Sequence, residues 1–159
     1  MNMNFTHCDH IEQYISLHDC VSERAYFENG NLGFEFNDGF WILPDHPESN
    51  FDKLVKTDFS KVEYLLTCGK PDDVTVYVFD RDHGNKIVGT EWTLDELVDN
   101  INLGKCKLEF LYQYIGYNAR MIECELHFDK KPYHKECIIK ISAPEVSYYW
   151  NNLCENRVW

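Results

Sequence analysis

Residues 6–20, THCDHIEQYISLHDC, gather three histidines, two cysteines, two aspartates and a glutamate in one short segment. His7 and His10 are three residues apart and would share one face of a helix. The neighbouring thiols, carboxylates and third histidine are of the types that complete a zinc shell: Cys8, Asp9, His18 and Cys20. Structural zinc sites, however, usually pair their ligands on tight turns, and neither cysteine has a close cysteine partner. We therefore expect no metal here, and interpret the segment as a short helix capped by Thr6 or Asp9 that leads into the first strand at His18-Asp19.

A cysteine–histidine nucleophile is the second chemistry that this segment could support. A reactive thiolate needs a basic surrounding or a helix N-terminus, and the acids near Cys8 and Cys20 would raise the thiol pKa instead. Stronger enzyme signatures are also missing from the sequence, which has no G-x-G-x-x-G, G-x-x-x-x-G-K-[ST], H-E-x-x-H or G-x-S-x-G motif. We expect a protein that is not an enzyme and has no cofactor.

Residues 80–91, DRDHGNKIVGTE, place Asp80, Asp82 and Glu91 at the first, third and twelfth positions of a calcium-loop pattern. The match then fails, because Gly84 stands where a ligand is expected and Asn85 stands where the glycine belongs. The flanking residues also have the pattern of strands rather than helices. We expect a hairpin turn.

Turn residues and apolar alternation outline the elements that must position these side chains. Asn29-Gly30 and Asp38-Gly39 tolerate the positive φ angles of tight turns, which predicts a three-stranded meander over residues 20–43. Residues 45–60, which follow Pro44, predict a loop with a short helical turn around FDKLVK. Alternation predicts further strands at residues 62–68, 74–80, 86–89, 105–116, 118–128 and 134–142.

One helix is predicted at about residues 93–103. Thr93 and Glu96 have the spacing of a capping box, and Gly104 suits the helix terminus. Consecutive strands with short turns and a single helix favour antiparallel pairing. The sequence thus predicts one α+β domain over residues 1–159, built mainly from a curved antiparallel sheet in the form of a sandwich or an open barrel.

The composition and the absence of export patterns indicate the cellular compartment of the protein. No stretch is apolar enough for a membrane span, and the N-terminal residues lack the pattern of a signal peptide. The seven cysteines form an odd set without a C-x-x-C pair, which fits reduced thiols better than a disulfide framework. We expect a cytoplasmic protein that does not associate with membranes.

Charge and aromatic content point to a protein partner. The net charge is −12, and residues 1–100 hold twenty acids against seven bases. Such a field repels nucleic acid and attracts a basic protein, although it can equally serve solubility alone. Exposed aromatic side chains would supply the buried anchor of an interface. The predicted partner-binding residues combine the acidic turn with these aromatics: Asp80, Asp82, His83, Glu91, Tyr112, Tyr114, Tyr148, Tyr149 and Trp150.

The run LHDCVSERAYFENGNLGFEFNDGFWIL, residues 17–43, resembles the opening of small uncharacterised bacterial cytosolic proteins with an H-D-C strand start, an N-G hairpin and a D-G-F-W turn. The acidic, aromatic-rich chain as a whole is similar to immunity proteins that neutralise bacterial toxins, and to phage inhibitors of host defence. This resemblance implies an anti-defence or immunity inhibitor that docks and blocks a basic partner, for example by acting as a nucleic-acid mimic toward a nuclease. The alternative is a sheet protein that binds a small ligand or carbohydrate through stacked Trp and Tyr side chains.

Overall fold

The computed structural model describes residues 4–81, 84 and 86–159. Its strands are β1 His7–Asp9, β2 Ile15–Ser16, β3 Cys20–Ser22, β4 Arg24–Glu28, β5 Asn31–Phe36, β6 Trp41–Ile42, β7 Val55–Thr57, β8 Ser60–Leu65, β9 Val74–Arg81, β10 Ile87–Trp92, β11 Cys106–Gly116, β12 Ala119–Phe128, β13 His134–Ser142, β14 Glu145–Trp150 and β15 Leu153–Val158. Helix α1 is Leu94–Asn102, and single 3-10 turns lie at Glu12–Tyr14 and Pro71–Asp73.

These strands form three open sheets within the described residues. The first has the order β1-β14-β8-β5-β4, the second β10-β9-β13-β12-β11-β3, and the third β15-β7-β6-β2. Every pairing recorded between these strands is antiparallel. The predicted α+β class, dominated by antiparallel sheet, is confirmed, and the open sheets fit the sandwich form.

Aromatic side chains join the first two sheets across the core. Phe34 and Phe36 on β5 meet Phe110 on β11 edge to face, with ring centroids 5.2 and 5.3 Å apart. Edge-to-face contacts of this kind add to the free energy of burying the rings themselves. The alternation of Leu32, Phe34 and Phe36 in the sequence therefore marks the face of β5 that enters the core, where all three are fully buried.

Helix α1 begins as predicted. The Thr93 hydroxyl accepts a hydrogen bond from the Glu96 amide, and the Glu96 carboxylate accepts one from the Thr93 amide. Leu94, Leu97 and Ile101 are buried on one side. The predicted 93–103 helix is confirmed, with Thr93 as its N-cap.

Gly39 lies in the turn between β5 and β6, where the predicted three-stranded meander is wrong: β5 pairs with β4 and β8, whereas β6 pairs with β2 and β7 in the third sheet. The φ of Gly39 is +71°, and a Cβ added there would lie 2.2 Å from the Thr57 carbonyl oxygen. The Asp38-Gly39 signal thus reports both a backbone conformation and a close approach between two strands.

Two further local predictions are wrong. The segment around FDKLVK is not helical: Val55, Lys56 and Thr57 form β7, an interior strand of the third sheet whose residues are all buried. Residues 7–9 form the edge strand β1 rather than a helix, because they pair with β14. Both strands are short, so pairing with distant residues decides their conformation.

No helix in the described part of the chain is long and apolar enough to cross a membrane.

Candidate partner-binding face

The six-stranded sheet turns one face away from the core, and five glutamates lie on it in two neighbouring rows. In the first row Glu136, Glu125 and Glu109 are direct cross-strand neighbours on β13, β12 and β11. In the second row Glu91 on β10 and Glu123 on β12 are separated by Tyr77 and Ile138. Neighbouring strands lie about 4.8 Å apart, so the first row holds three carboxylates within about 10 Å.

Aromatic side chains are interleaved with these glutamates. Phe79 stands beside Glu136, Tyr77 lies beside Glu91, and Tyr112 is directly opposite Glu123. Tyr114 occupies the next row, beside Met121. We call this surface the glutamate face and define it by its carboxylates and aromatic rings: Glu91, Glu109, Glu123, Glu125, Glu136, Tyr77, Phe79, Tyr112 and Tyr114.

A β-bulge on β11 puts Tyr112 and Tyr114 on the glutamate face. The register with β12 shifts between Phe110, which pairs with Cys124, and Tyr112, which pairs with Glu123. Leu111 is the extra residue. In a regular strand Tyr112 would point into the core as Phe110 does, because the two are two residues apart; with the bulge, Tyr112 is 57% and Tyr114 49% exposed.

His18 and Asp19 hold the bulge in place. The Asp19 amide donates to the Phe110 carbonyl over 2.8 Å, and His18 Nδ1 bonds the Leu111 carbonyl. The His18 ring also lies against Tyr112, with centroids 5.1 Å apart. The H-D-C strand start therefore supplies hydrogen-bond partners for two carbonyls of β11 at the bulge.

Two histidines complete one margin of the glutamate face. His127 and His134 are cross-strand neighbours, and their ring centroids are 4.8 Å apart. His127 Nε2 lies 2.6 Å from Glu109 Oε2, and His134 Nδ1 lies 2.8 Å from Glu125 Oε1. Three positive charges share this face: Lys140 lies in the row of Tyr114, Lys107 at the edge pairs with Glu23, and Arg81 follows Phe79 by two residues on β9.

The structure brings three of the predicted partner-binding residues together. Glu91, Tyr112 and Tyr114 all belong to the glutamate face, and Glu91 and Tyr112 are ends of one row that spans about 19 Å at the usual strand spacing. Asp80 faces the opposite way and pairs with Lys135, with 3.0 Å between Oδ1 and Nζ. Asp82 and His83 lie outside the described residues.

The expected exposure of the terminal aromatic run is wrong for two of its three members. Tyr148 and Trp150 are 2% and 1% exposed, because β14 is an interior strand and these residues point into the core. Tyr149 alternates outward and is half-buried, with Lys61 Nζ 4.7 Å from its ring centroid. Tyr149 lies on another sheet from Tyr112, so this run does not extend the glutamate face.

Asp9, the first acid of the chain, makes internal contacts. Asp9 Oδ2 accepts a hydrogen bond from Trp150 Nε1 over 2.7 Å and lies 3.2 Å from His46 Nε2. His7 stacks on the Trp150 ring at 3.9 Å. The N-terminal segment is thus bound to β14 and the buried His46 through its polar side chains.

Burial raises the pKa of both cysteines in this segment. Desolvation is the main cause for Cys8, and the charges of Asp9 and Glu63 add to it. Desolvation also dominates for Cys20, although the Lys56 amine lies 3.3 Å from its sulfur and acts in the other direction. Both thiols are therefore held in the protonated form that is a poor nucleophile.

A pocket of about 330 Å³ lies on the inner side of the bulge. Its polar wall includes Glu12, Ser16, His18 and Gln113. The Glu12 carboxylate forms an ion pair with Arg120, and their side chains are 13% and 7% exposed. Within the described residues, Glu12 Oε2 is a buried oxygen without a hydrogen-bond partner.

Sequence reasoning missed most of the glutamate face. Glu123 and Glu125 alternate with buried residues in the strand ARMIECELHF, and this was the available signal for an acidic exposed face. Glu109 and Glu136 sit on other strands, and only the register places them beside Glu125. The bulge that turns Tyr112 outward leaves no recognisable pattern of its own in the sequence.

No family model, curated protein or solved structure matches this chain. The resemblance of residues 17–43 to bacterial cytosolic proteins, and of the whole chain to immunity and phage inhibitor proteins, therefore stays a prediction.

Proposed function

We propose that this protein is a non-enzymatic binding protein that docks a basic partner on its glutamate face and blocks the surface it covers. The observation that carries the proposal is the pair of glutamate rows with aromatic rings between them. Carboxylates of one sign steer a cationic partner and fix its orientation, and the rings provide the apolar contact that holds it.

The chemistry of the partner follows from this charge. A surface that carries five carboxylates favours lysine- and arginine-rich partners, and disfavours direct contact with nucleic acid or anionic lipid. In the sharper form of the proposal, the partner is a nuclease or another nucleic-acid-binding effector whose basic cleft is covered. The protein would then act as an immunity or anti-defence inhibitor, in a cytoplasm that keeps its seven free cysteines reduced.

Capture from a host lysate at low and high salt tests the proposal. The face variant Glu91→Gln, Glu123→Gln and Glu136→Gln removes three negative charges without removing a ring. The matched control, Asp45→Asn, Glu48→Gln and Glu155→Gln, removes three exposed negative charges elsewhere.

Wild type and control should capture the same basic proteins at low salt, and the face variant should lose them. High salt should weaken capture by wild type, because exposed charges are screened over about 8–10 Å at physiological ionic strength and over less at higher salt. Equal loss in the face variant and in the control would show that net charge alone matters, and would contradict docking at this face.

The pocket beside the bulge favours the alternative of a small-ligand or carbohydrate site. It combines a carboxylate, an amide and a histidine within one concavity of about 330 Å³. A rise in Tm with a mono- or disaccharide that disappears in Gln113→Ala would support this alternative over the docking function.

A further inference from the structure

Three side chains on β12 and β13 converge at one margin of the glutamate face: Glu125, His127 and His134. Each offers one ligand atom, and these atoms all lie within 4.8 Å of one another. Among the described residues, this is the only group of three or more such side chains that meets this distance. It lies apart from the N-terminal segment, where the sequence alone made a metal worth considering.

We propose that Glu125, His127 and His134 form a zinc site. Two imidazoles and one carboxylate are a ligand set that zinc accepts, and three protein ligands leave the fourth tetrahedral position for water or an incoming donor. The presence of two imidazoles favours zinc over magnesium or calcium, which prefer oxygen ligands. The site does not depend on the proposed partner docking.

The sheet places the three ligands with little freedom. His127 and His134 are directly opposite each other across the β12–β13 ladder, and Glu125 is two residues before His127 on the same face. Ligands of a tetrahedral zinc ion lie about 3.4 Å apart, given zinc–nitrogen bonds of about 2.0–2.1 Å. Bringing the ligand atoms from separations of up to 4.8 Å to this spacing requires shifts of at most about 1.4 Å.

Glu109 acts as a positioning residue for this site. Its Oε2 lies 2.6 Å from His127 Nε2, so it orients the imidazole ring from the neighbouring strand. Carboxylates that orient ligating histidines in this way raise the affinity for the metal. Glu109 is itself half-buried, and its position is fixed by pairing with Glu125.

The electrostatics of the row also favour a divalent cation. Glu109, Glu125 and Glu136 are successive cross-strand neighbours, and like charges in that arrangement are destabilising. A zinc ion bound to Glu125, the middle member of the row, would neutralise part of this charge. The repulsion between these glutamates therefore favours cation binding, in addition to the suitable set of ligands.

Zinc titration of the reduced, chelator-treated full-length protein, against a chromophoric competitor, tests the inference. Wild type should bind one zinc ion per chain. His134→Ala should abolish that binding, and because this side chain is 59% exposed the variant should keep its fold. Glu109→Gln should weaken binding about 10- to 100-fold, as second-shell changes do.

The control variant is His10→Ala, which removes an exposed histidine next to an exposed thiol in the N-terminal segment and should leave the affinity unchanged. Alkylation of the exposed thiols before titration should also leave it unchanged. Absence of binding in wild type, equal binding in His134→Ala, or loss of binding on alkylation would each overturn the proposal. Partner capture by His134→Ala is measured in parallel, so that failure of the metal site and failure of docking are told apart.

Discussion

Glu12 looks like a surface acid in the sequence, but in the fold its carboxylate is largely shielded from solvent and one of its oxygens is buried. Its carboxylate contacts the Arg120 guanidinium, which also donates to the Ala143 carbonyl. A buried charge without its partner costs far more than the pair contributes, because both ions have already lost their water. Loss of either Glu12 or Arg120 alone should therefore destabilise the fold.

Glu12→Ala should lower the free energy of unfolding by roughly 3–5 kcal/mol, since it leaves the Arg120 charge buried and unpaired. Urea denaturation measures this directly. Glu155→Ala, which removes an exposed carboxylate, should stay within about 0.5 kcal/mol of wild type. A similar small effect of Glu12→Ala would mean that water reaches Arg120 and that the pair is not buried in solution.

At the scale of the element, α1 and the bulged strand β11 differ in how far apart in the chain the residues that determine their structure lie. The helix is encoded locally, since its cap, its apolar stripe and its glycine terminus are all within twelve residues. The bulge depends on His18 and Asp19, which are about ninety residues away in the chain. Local rules therefore predict the first and cannot predict the second.

Thr93→Ala should destabilise the protein by about 0.5–2 kcal/mol, because the Glu96 amide loses its acceptor at the helix N-terminus. Thr93→Ser keeps the hydroxyl and should retain most of the stability. Thermal and urea unfolding of the two variants side by side measure the difference. Equal stability of the alanine and serine variants would show that the capping bond contributes nothing in water.

At the scale of the whole molecule, the arrangement of like charges lowers the stability of the sheet. The sequence concentrates its net negative charge in residues 1–100, yet four of the five glutamates of the glutamate face come from residues 101–159. The sheet gathers them by pairing β11, β12 and β13. A row of like charges that weakens the sheet is expected where a surface serves binding rather than stability.

Glu136→Gln should raise the free energy of unfolding by roughly 0.2–1 kcal/mol at low salt, because it relieves like-charge repulsion with Glu125. The gain should shrink in high salt, where such exposed charges are screened. Glu155→Gln on β15 is the charge-matched control and should show no comparable gain. A salt-independent effect of Glu136→Gln would point to packing rather than to charge.

Sequence alone was sufficient for the α+β class, the helix, most of the long strands and the turns at Asn29-Gly30 and Asp38-Gly39. These features rest on local chemistry: alternation, capping and positive φ angles act within a few residues. Sequence reasoning also named Glu91, Tyr112 and Tyr114, which lie on the glutamate face, because the acidic turn and the alternate spacing of the two tyrosines are visible in the sequence. Their role in binding stays a prediction.

Only the tertiary structure decided which residues share a surface. Strand register set Glu109 and Glu136 beside Glu125, a bulge turned Tyr112 outward, and an interior position for β14 buried Tyr148 and Trp150. Each of these outcomes depends on contacts between residues far apart in the chain, and a shift of one residue in register would exchange the two faces of a strand. The glutamate face and the histidine pair at its margin are therefore properties of the sheet, whereas the residues that compose them are properties of the sequence.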